Sequence, residues 1–145
     1  MKRIFRILVA VALLTVIVAL LVTSVGRHPL HGARLMSHMF ASGVLVVILP
    51  LFAIVWLSPM FDATKRGVSL RIGYWAVLLT GFLTTVTMFL SMLPIAGTDQ
   101  LQQLILIHGY AGFAMVAAGV LFALGWLLSS RTPIHPSIKS NIDDN

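Results

Sequence analysis

Two of the five histidines stand where an imidazole is costly to keep. His38 and His108 each lie within a long apolar run, about two helical turns or less from one end of it, whereas His28 and His31 fall between the first two runs and His135 in the C-terminal tail. Ionisable side chains held inside apolar helices mark functional sites by default, and neutral imidazole is a metal ligand through either ring nitrogen. Two imidazoles at one depth on two helices suit the axial positions of a b-type haem, with the porphyrin filling the space between the helices. The chain has no cysteine, which excludes disulfides, iron–sulfur clusters, thiolate zinc sites and covalent haem attachment. No Asp, Glu, Lys or Arg is clearly placed at a membrane midplane, and the two candidates nearest the runs, Asp62 and Asp99, read as loop residues. That argues against ion-coupled transporters and proton pumps.

The surroundings of the two histidines are small. His108 is followed at i+4, i+7 and i+11 by Gly112, Met115 and Gly119, and His38 at i+3, i+4 and i+5 by Ala41, Ser42 and Gly43. Arg34, one turn before His38, is a candidate partner for a haem propionate. His31, seven residues before His38, is a reserve ligand or a hydrogen-bond partner for propionate or quinone. Thr80, Thr84, Thr87 and Ser91 follow spacings of four, three and four, which lines their hydroxyls along one helical face. Such hydroxyls either bond the preceding carbonyls and join helices, or place Ser91 or Thr87 near a quinone or the haem edge. A second haem at the opposite side would need two more histidines and only His135 is available, so one haem b is expected, toward the outer face. The competing reading is structural: a lone membrane histidine also serves as an interhelical hydrogen-bonding group, and Gly and Ala also serve close packing.

The elements that position these residues follow from composition. Of 145 residues 59% are apolar and 10% charged, against about a quarter charged in soluble domains. Four apolar runs, at 4–25, 35–57, 72–93 and 101–128, are each long enough to span a bilayer. The expected fold is all-α: an integral membrane four-helix bundle, followed by a polar cytoplasmic tail at 129–145. The first run is longer than a signal-peptide core and no A-x-A site follows it, so it is expected to be a retained helix. The net charge of +6 sits at the edges of the runs and reads as topology rather than as affinity for nucleic acid. With the N-terminus inside, Lys2, Arg3, Arg6, Lys65, Arg66, Arg71, Arg131 and Lys139 fall on the inner side and only Arg27 and Arg34 on the outer. Both termini are therefore expected in the cytoplasm. Trp56, Trp75 and Trp126 fall at the inner ends of spans two to four, as interfacial anchors would. Pro50 is expected to kink span two, with Pro59 and Pro94 marking the ends of spans two and three.

The segment Leu35-Met-Ser-His-Met-Phe-Ala-Ser-Gly with the apolar run to Trp56, and Phe89-Leu-Ser-Met-Leu-Pro-Ile-Ala-Gly-Thr-Asp-Gln with Leu-Ile-Leu-Ile-His108, resemble small four-helix bacterial membrane cytochromes b. These are similar to the cytochrome b subunits that anchor respiratory dehydrogenases and multihaem cytochrome c modules. The resemblance covers roughly residues 34 to 128. It implies His38 and His108 as haem ligands, and electron exchange between the quinone pool and a partner outside the membrane. The chain departs from such relatives at Gly109, where a basic residue often follows the fourth-helix histidine.

The expectation is thus a multi-pass subunit of the bacterial inner membrane with one bis-histidine haem b. It would work within a quinol or quinone oxidoreductase complex rather than as an enzyme alone, with a periplasmic cytochrome c subunit as redox partner. The alternative is a haem-free structural or assembly subunit of a larger membrane complex. A carrier using the hydroxyl stripe ranks below both, since the spans show no charged coupling residue and no inverted repeat.

Overall fold

A chain this apolar can satisfy its backbone in lipid only by closing hydrogen bonds within each segment, which favours helices. The computed structural model describes residues 2–25, 32–61, 67–94 and 97–131. They form α1 (Lys2–Ser24), α2 (Gly32–Phe61), α3 (Val68–Met92) and α4 (Thr98–Arg131). All four are long and apolar enough to cross a membrane. Even α1, with 23 residues, reaches about 35 Å at 1.5 Å per residue, more than the ~30 Å hydrocarbon core. The bundle turns much of its apolar surface outward, with Phe40, Val47, Ile54 and Leu79 exposed. An exterior of that kind is matched by lipid and not by water. The chain is a multi-pass, all-helical membrane protein.

The helices run up and down as two hairpins, α1 with α2 and α3 with α4. The second hairpin is held by glycines at points where the backbones meet. A Cβ on Gly73 would lie 2.6 Å from the N and Cα of Phe122, and one on Gly125 would lie 2.7 Å from the N of Leu70. Only hydrogen fits at either place. The hairpins meet through Gly81 of α3 against Leu49 of α2, and Gly119 of α4 against Ile17 of α1.

One end of the bundle is filled by aromatic rings. Phe52 and Trp56 of α2 both stack edge-on to Phe122 of α4 at 5.1 Å, Tyr74 of α3 lies 5.5 Å from Phe52, and Trp126 lies 5.9 Å from Trp56. Each buried polar tip of this cluster finds a backbone acceptor, as buried Tyr and Trp require. The Tyr74 hydroxyl donates to the Ala53 carbonyl (2.8 Å) and the Trp56 indole N–H to the Arg6 carbonyl (3.2 Å). Tyr74→Phe keeps the packing and removes the second hydrogen bond on a helix carbonyl, so about 1 kcal/mol of stability should be lost. Denaturant unfolding in micelles checks this; an unchanged midpoint would mean that the hydroxyl contributes nothing.

All four helices start before the apolar runs do; α1 and α3 stop one residue short of the run's end, and α2 and α4 extend beyond it. α2 passes through Pro50 and continues two residues beyond Pro59, while α3 stops before Pro94, whose ring holds Leu93 extended (φ −81°, ψ 135°). Asp99 is not a loop residue: it sits in the first turn of α4, where the helix dipole favours an anion. The tryptophans share one end, but they differ in environment. Trp75 is 44% exposed, as an interfacial residue would be, whereas Trp56 is 2% exposed and belongs to the core. The Arg6 carbonyl, by accepting its N–H, makes that burial affordable.

Candidate functional site

The end opposite the aromatic cluster is not filled. A cavity of about 730 Å³ lies there between all four helices, within the ~300–1,000 Å³ typical of sites for small molecules and cofactors. Its walls are mostly aliphatic, and its polar lining consists of His38 and Ser42 of α2, His108 of α4, Ser24 of α1, and Thr84 and Thr85 of α3. The two histidines that matched depth singled out therefore face one chamber, and each belongs to a different hairpin.

Both imidazoles are held through the same ring nitrogen. Nδ1 of His108 lies 3.0 Å from the Thr84 carbonyl oxygen and 3.2 Å from the Thr87 hydroxyl. A carbonyl oxygen only accepts, so this Nδ1 carries the proton. Nδ1 of His38 lies 3.0 Å from the Thr23 hydroxyl and 3.5 Å from that of Ser24. The Thr23 hydroxyl is within 2.8 Å of the Ala19 carbonyl and 3.0 Å of the Leu20 carbonyl, and the Ser24 hydroxyl is 2.7 Å from the Leu20 carbonyl. With their single hydrogens on those carbonyls, both oxygens accept from the Nδ1–H tautomer of His38. The Thr84 carbonyl thus assigns the Nδ1–H tautomer to His108, and the hydroxyls beside His38 are compatible with the same tautomer, which leaves Nε2 with a lone pair. Among the described residues, every hydrogen bond of the two rings runs through Nδ1. A ring that donates Nδ1–H to an oxygen and keeps Nε2 for the metal is the usual arrangement of a ligating histidine.

No family model, no curated protein and no solved structure matches this chain.

The small residues divide into two groups. Gly112 lines the cavity, and a Cβ there would meet nothing within 4 Å; Ser42 and Met115 line it too, and the Ser42 hydroxyl donates to the His38 carbonyl (2.8 Å). Gly43 points instead to the outside of the bundle, and Gly119 is a packing residue against Ile17. Gly109 also lines the cavity with open space where a side chain would be. The hydroxyl stripe bonds its own helix throughout: Thr80 to Ala76, Thr84 to Thr80, Thr87 to Leu83 and Ser91 to Met88. Thr87 is buried and turned to His108, and neither it nor Ser91 contributes to the cavity lining.

Arg34 lies outside that lining as well. Its guanidinium donates to the carbonyl of Val25, just past the end of α1, and so satisfies a backbone group that the helix terminus leaves open. His28, His31 and His135 lie outside the described residues. Sequence reading passed over Thr23 and Ser24. The available signal was the one that found the histidines: both stand near the end of α1 at which α2 starts, so they share the depth of His38.

Proposed function

We propose that this chain is a bacterial inner-membrane cytochrome b subunit. It would hold one b-type haem between His38 and His108 and pass electrons between the quinone pool and a periplasmic redox partner such as a cytochrome c. One observation carries the reading: two imidazoles from separate hairpins line one cavity, each with Nδ1 anchored and, among the described residues, no hydrogen bond at Nε2. The fit to the group is chemical as well as spatial. Aliphatic walls such as Leu20, Leu45 and Val116 would exclude water from a macrocycle, and Gly112 removes bulk four residues after His108.

Bound haem supplies reversible one-electron chemistry at its iron. This chain's own residues do the rest. His38 and His108 present Nε2 lone pairs, Thr84, Thr87, Thr23 and Ser24 fix the rings, and the aromatic cluster closes the far end of the bundle. The cationic flanks of the spans would place both termini in the cytoplasm and the cavity near the outer surface. That location suits a partner on the periplasmic side.

The test is the reduced-minus-oxidised spectrum of the purified full chain, with haem counted per chain. One haem with the sharp α-band of bis-histidine coordination is expected. A flat spectrum from intact protein would contradict the reading and favour a haem-free subunit that packs within a larger complex.

A further inference from the structure

The two histidines are held in unequal ways. His108 gives its proton to a backbone carbonyl, that of Thr84, which no side-chain substitution removes. Among the described residues, Nδ1 of His38 is bonded only to side-chain hydroxyls, and these belong to α1, a helix whose other cavity residues, Leu20 and Leu21, are aliphatic. We propose that Thr23, backed by Ser24, is the positioning residue of His38: its hydroxyl oxygen fixes the Nδ1–H tautomer and makes α1 a tuning element of the site. This rests on the haem reading of the same cavity.

The chemistry follows from proton sharing. A ligating imidazole whose Nδ1–H is bonded to an oxygen gains anionic character and donates more strongly through Nε2, which favours the ferric over the ferrous state. Thr23 acts as the acceptor when its hydrogen lies on the Ala19 or Leu20 carbonyl, both within reach. Those two bonds orient the oxygen lone pair toward the neighbouring helix. The contact also spans 15 residues of sequence, so it ties the end of α1 to the first turns of α2 close to the cavity.

The experiment uses the purified full chain and reads midpoint potential and the low-spin ferric electron paramagnetic resonance signal. Thr23→Val replaces the hydroxyl by a methyl of similar volume, and Ser24→Ala removes the second acceptor at 3.5 Å. The double variant should keep its haem while its reduction equilibrium moves toward the ferrous state by about tenfold, or ~59 mV for one electron, with a changed resonance signal. Thr23→Ser restores the hydroxyl and should restore both values. Thr15→Val, an exposed position on α1 whose hydroxyl donates to the Val11 carbonyl, should leave them at wild type. A haem-loaded double variant with unaltered potential and resonance would overturn the assignment. Should the double variant not accumulate, Thr23→Val compared with Thr23→Ser decides in the same way. A wild-type chain with no haem band in any preparation would instead overturn the haem reading, which keeps the two failures apart.

Discussion

His38→Ala and His108→Ala, made separately, should each abolish the low-spin bis-histidine spectrum and reduce haem retained through purification by at least tenfold. The scale follows from loss of outer-sphere partners alone, which costs roughly 10–100-fold in metal affinity; loss of a ligand should cost no less. The two substitutions should fail alike, because the imidazoles stand on opposite hairpins and neither hairpin offers a second histidine within the cavity lining among the described residues. Both rings are only partly buried, and their removal leaves the aromatic end of the bundle untouched, so the helices should still form. Circular dichroism separates the outcomes. Normal helicity with no haem supports the assignment, and a wild-type spectrum in both variants would place the ligands elsewhere.

The second large effect concerns the fold. Gly73→Ala and Gly125→Ala each drive a methyl to within 2.6–2.8 Å of backbone atoms on the facing helix. Backbone cannot step aside as a flexible side chain can, so α3 and α4 must separate locally. The expected loss is about 1–3 kcal/mol for either change, the range for overpacked cores, and more for both together. Gly43→Ala provides the contrast. Its Cβ would meet nothing within 4 Å, so the change should be neutral or stabilising by up to about 1 kcal/mol from helix propensity. Unfolding in micelles that ranked Gly43→Ala with the other two would show that the α3–α4 contact is not what these glycines serve.

These two predictions differ in how far sequence could reach them. The four spans were legible because the hydrophobic requirement of a bilayer is a matter of length and composition. The depth of His38 and His108 was legible because rise per residue converts position into height. Rotation of each helix about its axis was not. In a soluble bundle a polar face marks the outside, but here lipid and core are both apolar, and nothing in the pattern of α2 or α4 says which side is which. Hence Gly112, Gly119 and Gly43 looked equivalent on paper, and in the bundle they face a cavity, a neighbouring helix and the exterior. For the same reason Gly73 and Gly125 gave no sign of their contact. The spacing of Thr87 places it in the hydroxyl stripe; that it turns toward His108 depends on how α3 and α4 are set against each other. Trp56 shows the converse. Its position along the helix fitted an interfacial residue, but a carbonyl of α1 within reach of its indole let it move into the core.

The central claim is that His38 and His108 hold a macrocycle across the cavity between the hairpins. An experimental density map of the full chain, purified in lipid without added haem precursors, tests it most directly. Planar density filling the cavity with Nε2 of both histidines directed at a central metal is the expected result. An acyl chain in that space, or a collapsed cavity with the two imidazoles bonded to other protein groups, would contradict it.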